Sequence, residues 1–175
     1  MQPRILFLGK VDYRESLRWM QEHAARREAQ ASDEFWVLEH PPVYTQGTSC
    51  LSEPAPNPRA IPVIKSDRGG QITYHGPGQL VVYLLLDIKR LGVGPRRLVS
   101  QIENAVLRLL SEYGIEAEVR EGAPGVYVSG CKLAALGLRI RRGSSYHGLS
   151  LNVDMDLRPF EWIDPCGYAG LEVTS

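Results

Sequence analysis

Two residue types that can together perform acyl transfer stand 34 residues apart in this chain (166 − 132). Cys166 lies in the turn-forming run 163–167 (IDPCG), and Lys132 lies in the apolar, strand-like run 131–137 (CKLAALG). A thiol between proline and glycine sits on a tight turn whose amides can face one point, which suits an exposed thiolate and an oxyanion site. A nearby lysine can act as a base or stabilise the thiolate. The alternative is a structural thiol, since unpaired cysteine is among the most buried residue types.

A second group of residues, 68–79 (RGGQITYHGPGQ), precedes the apolar run 80–86. Its four glycines permit positive φ and let a ligand approach the main chain closely. Arg68 and His75 add donors that can orient a carbonyl or the amides of a pantetheine arm. The segment therefore predicts one wall of a binding site. A pair of tight turns in a β-rich domain is the alternative, because glycine and proline mark turns in general.

Composition limits the class of protein. A chain of 175 residues with 43% hydrophobic content predicts one domain, 1–175, that folds without metal or disulfide. Three cysteines without metal-ligand spacing and no charged-then-apolar leader predict a reducing compartment, the cytoplasm. Since the apolar run 80–86 is far shorter than the roughly 18 residues of a membrane span, no membrane association is predicted. Twenty basic and twenty acidic residues give no net charge, so no nucleic-acid partner is predicted.

Hydrophobic periodicity predicts the elements that position these groups. Strands are expected at 4–8, 35–39, near Val63 and Ile72, and at 80–86, 126–128, 132–140 and 146–153. Residues 129 and 130 (SG) predict a hairpin. The pattern as a whole predicts an α/β fold, a single layer with a mixed, mainly antiparallel sheet flanked by helices.

Two helices are predicted. The first follows Asp12, which forms a capping box with Glu15. The second begins at Pro95 and stops at Gly114, and its buried face is expected to hold Leu98, Ile102, Val106 and Leu109/Leu110. The proline-rich run 51–62 predicts an exposed loop beside the site.

Strand alternation separates the cysteines and leaves the histidines open. Cys131 and Lys132 are neighbours, so they are expected on opposite faces, and Cys131 is predicted to be structural. Cys50, in a polar segment, is predicted to be structural as well. His40 is predicted in a loop and His147 as a satisfied structural histidine, although His75 or His147 could bind substrate or pair with a cysteine in a Cys/His dyad.

Four segments together resemble the lipoyl(octanoyl) transferases: 68–79, 125–139, 147–152 (HGLSLN) and 165–167 (PCG). The resemblance spans nearly the whole chain. It implies that Cys166 and Lys132 are the two catalytic groups. It implies transfer of an octanoyl group from octanoyl-acyl carrier protein to a lysine of a lipoyl domain, in 2-oxoacid dehydrogenase complexes or the glycine-cleavage H protein. It also implies the fold of the biotin and lipoate protein ligase catalytic domains.

The implied chemistry has two steps and needs no cofactor. Cys166 exchanges one thioester for another, which requires no ATP, and the acceptor amine then attacks the acyl-enzyme. Only about 1 in 2,500 such amines is neutral at pH 7, which corresponds to about 4.6 kcal/mol. We therefore expect Lys132 to accept the proton of the amine.

The octanoyl chain predicts an apolar tunnel, because burying it contributes about 5 kcal/mol at ~0.8 kcal/mol per methylene. The residues expected to bind the substrate lie in the glycine-rich segment and on two neighbouring strands. They are Arg68, Gly69, Gly70, Gln71, Ile72, Thr73, Tyr74, His75, Ala135, Leu136, Gly137, Gly148, Leu149 and Ser150.

Two other functions remain open at this stage. An ATP-dependent lipoate or biotin ligase activates its acid as an adenylate and needs no nucleophilic cysteine. A non-catalytic module would only bind acyl carrier protein or lipoyl domains. The chain also ends at Ser175, sooner after Cys166 than in related chains, and the lack of a C-terminal tail there would leave a thioester open to water.

Arg139, Arg141 and Arg142 form a basic cluster that is predicted to dock an acidic carrier protein. Reversing these charges should raise the KM for carrier-bound substrate much more than the KM for a small thioester. Steady-state kinetics with both donors check this, and equal effects on the two would exclude docking at the cluster.

Overall fold

The computed structural model describes residues 2–28, 30–50, 60–164 and 170–175. Within these ranges the chain forms ten strands, two helices and one 3-10 turn at Arg158–Trp162. The helices are α1 (Tyr13–Arg26) and α2 (Pro95–Glu112). The strands are β1 (Arg4–Lys10), β2 (Glu34–Glu39), β3 (Val43–Gln46), β4 (Val63–Lys65), β5 (Ile72–His75), β6 (Gln79–Leu85), β7 (Glu118–Val119), β8 (Gly125–Val128), β9 (Cys131–Arg141) and β10 (Ser144–Asn152).

Seven strands form the main sheet, in the order β1-β2-β6-β10-β9-β8-β7. Only β1 and β2 pair in parallel, and the other neighbours are antiparallel. The α/β class with a mixed, mainly antiparallel sheet is thereby confirmed. The long strands β9 and β10 lie near the middle of this sheet, where neighbours on both sides hold their backbones.

A second sheet, which the sequence analysis did not predict, has the order β4-β3-β5. Its central strand β3 is buried at Val43, Tyr44 and Thr45, so it lacks the alternation by which a half-buried strand is recognised. Two prolines directly before it, Pro41 and Pro42, are typical of a loop. The prediction of a single sheet is therefore wrong, because the described strands form two sheets.

The predicted helices are confirmed with small corrections. Asp12 caps α1, because its Oδ1 accepts hydrogen bonds from the amides of Arg14 at 2.8 Å and Glu15 at 3.4 Å. In α2, Leu110 is buried, whereas Leu109 is 38% exposed and does not belong to the core. Gly114 ends α2 in the left-handed region, with φ +71°.

The hairpin at residues 129 and 130 is also confirmed. Ser129 and Gly130 both have positive φ, +49° and +88°, as in the two-residue turn that joins twisted antiparallel strands. Most of the predicted loop 51–62 lies outside the described residues. None of the described helices has the length and apolar character that crossing a membrane requires.

Removing the α1 cap should weaken the fold measurably. Asp12→Ala leaves two helix amides without their acceptor and should lower the free energy of unfolding by about 1 kcal/mol. Urea denaturation measures this change, with Asp12→Asn as the matched control because asparagine still caps. Equal losses in both variants would contradict the capping explanation.

Candidate active site

A cavity of about 530 Å³ lies where β9 and β10 face the glycine-rich loop, the second sheet and the start of α2. Lys132 borders it. Tyr74 does not, and its ring instead packs against Tyr44 and Phe160, each at 5.5 Å between centroids. The other predicted substrate-binding residues all border the cavity: Arg68, Gly69, Gly70, Gln71, Ile72, Thr73, His75, Ala135, Leu136, Gly137, Gly148, Leu149 and Ser150.

The glycine-rich loop lies directly on β9. The amide of Gly69 donates to the carbonyl of Leu138 at 3.0 Å. A Cβ at Gly137 would lie 3.1 Å from Cδ of Arg68 and 3.2 Å from the Gly69 carbonyl, so a larger residue would push the loop away. The absence of a side chain at 137 thus allows this close approach.

Arg68 is buried, and the second sheet receives most of its hydrogen bonds. Its Nε and Nη2 donate to Oγ1 of Thr45 at 3.2 and 2.9 Å, and Nη2 also donates to the Thr45 carbonyl at 2.6 Å. Nη1 donates to the Gly69 carbonyl at 2.9 Å. The three bonds to Thr45 fix the loop against β3, a role for Arg68 that was not predicted from the sequence.

His75 is buried beside Arg68, with Nδ1 2.7 Å from Oε1 of Gln79. Burial, followed by the nearby His40, lowers the pKa of His75 to about 3. The ring is therefore neutral at pH 7. A neutral imidazole can offer one donor and one acceptor but no charge.

Lys132 is buried in the cavity wall, with only 4% of its surface exposed. Its Nζ donates to the carbonyl of Pro124 at 3.1 Å and lies 5.2 Å from the ring centre of Tyr127. Gly125 makes room for it, because a Cβ there would lie 3.0 Å from Cε of Lys132. A register shift leaves Leu133 as an extra residue on β9, and Leu133 enters the core cluster that α2 covers.

The segment 172–174 pairs with the backbone of Lys132. The Lys132 amide donates to the Glu172 carbonyl at 2.8 Å, and the Thr174 amide donates to the Lys132 carbonyl at 3.0 Å. Cys166, the predicted nucleophile, lies outside the described residues, as do Pro165 and Gly167. The structure therefore places one of the two predicted catalytic groups, together with the segment that follows the other.

Neither of the two described cysteines borders the main cavity. Cys131 Sγ donates to Oε2 of Glu172 at 3.4 Å, and this hydrogen bond raises the pKa of the thiol. Cys131 is half-buried, whereas Lys132 is buried. Cys50 packs against the core cluster around Tyr44.

Sequence reasoning missed Asp67, which directly precedes the glycine-rich segment. It accepts hydrogen bonds from Nε2 of His147 at 2.8 Å and from the hydroxyl of Tyr146 at 2.6 Å. Burial raises the pKa of Asp67, but these two bonds outweigh it and hold the pKa well below its usual range. Burial, followed by Asp67, raises the pKa of Tyr146 to about 12. Asp67 is thus a fixed anion beside the cavity.

His147 and His40 differ from their predicted surroundings. His147 was expected to be satisfied, but its buried Nδ1 has no partner in the described part of the chain. It has a φ of +59° within β10, and its ring stacks on that of the neighbouring Tyr146 at 5.1 Å between centroids. His40 follows β2 as predicted, yet it is fully buried, with its ring nitrogens 2.7 Å from the Val11 carbonyl and the Tyr83 hydroxyl.

Across residues 2–28, 30–50, 60–164 and 170–175, no group of three or more His, Cys, Asp and Glu side chains is arranged to hold a metal ion. The polar groups of the wall are one lysine, two arginines, two imidazoles, a glutamine amide, several hydroxyls and the glycine backbone. Such a set suits the binding and proton transfer that an acyl group requires.

The chain matches a family model described as the lipoyl protein ligase A/B catalytic domain over residues 12–175. It is 59% identical over 173 residues to a protein named octanoyltransferase from Dechloromonas aromatica, and the match covers 99% of this chain and 84% of that relative. It is 60% identical over 173 residues to a protein of the same name from Chromobacterium violaceum, covering 98% of this chain and 84% of that relative.

Two solved structures share the fold at low identity. One is a lipoate-protein ligase A bound with ATP, with a TM-score of 0.75 at 15% identity, covering 99% of this chain and 80% of that one. The other is a bipartite lipoate protein ligase from Thermoplasma acidophilum, with a TM-score of 0.72 at 18% identity, covering 93% of this chain and 66% of that one.

The neutral, buried His75 predicts a loss of stability in mild acid. The unfolded chain takes up a proton below its pKa of about 6.5, whereas the folded protein does so only near pH 3, so stability present above pH 6.5 is lost as the pH falls. At pH 5 this one group should lower the free energy of unfolding by about 2 kcal/mol. Burial lowers the pKa of His40 and His147 in the same direction.

Urea denaturation at pH 7 and pH 5 measures the loss, and His75→Gln should make it about 2 kcal/mol smaller. Titration of the His75 ring between pH 5 and 7, followed by NMR in the folded protein, would contradict the prediction.

Proposed function

Because the chain belongs to the lipoyl protein ligase A/B catalytic domain family, we propose that it transfers an octanoyl group to the acceptor lysine of a lipoyl domain. The protein is an acyltransferase. The donor in this proposal is octanoyl-acyl carrier protein, and the acceptors are the lipoyl domains of 2-oxoacid dehydrogenase complexes and the glycine-cleavage H protein. Because its three cysteines lack metal-ligand spacing and are odd in number, we assign it to a reducing compartment, the cytoplasm.

The observation that carries this proposal is a buried lysine on the wall of an acyl-sized cavity. The volume of 530 Å³ lies within the roughly 300–1,000 Å³ of typical small-ligand pockets. Ile72, Val81, Leu136 and Leu149 supply apolar surface to its wall. The six methylenes and the terminal methyl of an octanoyl chain would be held there chiefly by the hydrophobic effect.

The proposed reaction passes through a thioester on Cys166. Its thiolate attacks the carbonyl of the donor thioester, the carbon–sulfur bond to the carrier breaks, and the carrier leaves as a thiolate. The acceptor lysine amine then attacks the acyl-enzyme, the carbon–sulfur bond breaks, and the Cys166 thiolate is released. Lys132 takes the proton that the amine loses as the amide forms.

Chain connectivity is compatible with Cys166 acting beside Lys132. Ile163 precedes Cys166 by three residues and packs in a cluster with Ile72, which borders the cavity. Glu172 follows Cys166 by six residues and accepts the hydrogen bond of the Lys132 amide.

The predicted docking cluster is exposed at the end of the β9–β10 hairpin. Arg139 and Arg141 are exposed on β9, and Arg142 is exposed in the turn with φ +52°. Because these three cations lie at one end of the strand whose middle borders the cavity, a carrier bound there would lie close to the cavity. An acidic carrier protein fits this charge.

Intact-protein mass spectrometry tests the proposal directly. After mixing with octanoyl-acyl carrier protein without ATP, the protein should gain one octanoyl group and pass it to an added apo lipoyl domain. Cys166→Ser should gain none, whereas the matched control Cys131→Ser should behave like the parent protein. An adduct that persists in Cys166→Ser would refute Cys166 as the nucleophile.

Lys132→Arg separates the two steps, because arginine keeps the charge but cannot accept a proton at neutral pH. The acyl-enzyme should still form, while transfer to the lipoyl domain should slow by about 100-fold or more. A normal second step in this variant would exclude Lys132 as the base. Transfer that requires ATP and free octanoate would instead support a ligase, and binding without any transfer would support a non-catalytic module.

A further inference from the structure

A buried side chain holds the segment 172–174 in addition to its pairing with Lys132. Asn152, the last residue of β10, donates from Nδ2 to the carbonyl of Thr174 at 2.9 Å. The Oδ1 of Asn152 in turn accepts from Nε2 of Gln79 at 2.9 Å. Neither Asn152 nor Gln79 borders the main cavity. Their hydrogen bonds therefore serve the protein and not a ligand in that cavity.

The direction of these hydrogen bonds is fixed by main-chain carbonyls, which can only accept. Since the carbonyl of Thr174 accepts from Asn152, the amide nitrogen of Asn152 must face Thr174 and its oxygen must face Gln79. The carbonyl of Tyr74 lies 3.2 Å from Nε2 of Gln79, so that nitrogen also donates there. The oxygen Oε1 of Gln79 then faces His75.

The orientation of Gln79 sets the tautomer of His75. Nδ1 of His75 lies 2.7 Å from Oε1 of Gln79, so Nδ1 must carry the hydrogen and Nε2 the lone pair. Nε2 lies 3.3 Å from Oγ1 of Thr45. That hydroxyl accepts from Arg68, which can only donate, so its own hydrogen is available for Nε2.

The result is one chain of donors and acceptors that runs from Arg68 through Thr45, His75, Gln79 and Asn152 to Thr174. The four side chains between the ends are between 0% and 7% exposed, so a broken link would leave a buried polar group without its partner. A buried polar group that loses its partner is destabilised much more than an exposed one. Each member therefore has a strong preference for this single arrangement.

We propose that Thr45, His75, Gln79 and Asn152 form a one-directional hydrogen-bond relay that positions the segment 172–174 alongside Lys132 and ties it to the loop of Arg68. In the proposed function, on which this role rests, the relay sets the register between Lys132 and the chain that follows Cys166. Gln79 and Asn152 are positioning residues, because they act through Thr174 and do not border the acyl cavity.

The first test uses the unaltered protein and is independent of its activity. Nitrogen-15 NMR at pH 7 should show a neutral His75 with its hydrogen on Nδ1, and this tautomer should persist from pH 5 to 8. A hydrogen on Nε2 would reverse the required orientation of Gln79 and would overturn the relay.

The second test compares variants of similar shape by hydrogen exchange at the Thr174 amide, which donates to Lys132. Asn152→Asp presents an oxygen to the Thr174 carbonyl and should speed that exchange about fivefold or more. Asn104→Asp, on the exposed face of α2, is the matched control and should leave the exchange unchanged. Unchanged exchange in Asn152→Asp would overturn the proposal.

Direction, as distinct from mere contact, is tested at Gln79, which does not touch Thr174. In Gln79→Glu the new carboxylate can only accept hydrogen bonds. Asn152 should therefore turn its amide nitrogen toward the carboxylate and its oxygen toward Thr174. Exchange at the Thr174 amide should again be about fivefold faster. Gln79→Met removes the link without turning Asn152 and should stay within about twofold of the parent protein. Equal exchange in the two variants would refute a directional relay.

Kinetics then separate positioning from general damage. Asn152→Asp should lower kcat for acyl transfer with the KM for the octanoyl donor unchanged, because the cavity wall is intact. A raised KM with unchanged kcat would exclude the positioning role. If the parent protein transfers no acyl group, the proposed function fails, while the tautomer and exchange results still decide whether the relay exists.

Discussion

Burial of the Lys132 side chain is the constraint on which the rest of the site depends. An ammonium or amine removed from water needs acceptors and close packing, since a buried charge without partners is strongly unfavourable. The carbonyl of Pro124 and the ring of Tyr127 meet that need on one side. The hairpin at Ser129 and Gly130 brings β8 back beside β9, so that both groups reach the lysine. The arrangement of β8, the turn and β9 thus supplies the groups that the buried lysine needs.

The second sheet meets a related requirement at another part of the cavity wall. Arg68, like Lys132, is buried, and β3 satisfies it through the side chain and carbonyl of Thr45. The loop borders the cavity with this fixed arginine, with the glycine backbone at 69 and 70, and with neutral side chains such as Ile72 and Thr73. A mostly uncharged surface of this kind suits an extended, uncharged ligand.

The sequence was sufficient for the elements with a regular pattern and for the loop with a distinctive composition. The helix α2, the strands β6, β9 and β10, and the hairpin between β8 and β9 were predicted from periodicity and turn residues. All but one of the residues expected to bind the substrate border the cavity, and they come from the glycine-rich segment and from β9 and β10. These signals are local, so one sequence suffices to read them.

The missing parts depend on contacts between distant residues. The strand β3 is short and buried on both faces, so neither length nor alternation reveals it. Asn152 and Gln79 are 73 positions apart, and nothing local shows that an amide at one position completes the hydrogen bonds of the other. The position of Asp67 directly before Arg68 was a weak signal of a role at the site. Its partners His147 and Tyr146, however, lie some 80 residues away.

The pairing of Lys132 with the segment 172–174 has a consequence for how the protein is made. Every described residue that borders the cavity has been synthesised once the ribosome passes Ser150. Glu172 follows Lys132 by 40 residues (172 − 132), so the Lys132 amide gains its partner only from a segment that is synthesised after all of those residues. Because this contact closes a long loop, it adds to the chain entropy that folding must overcome.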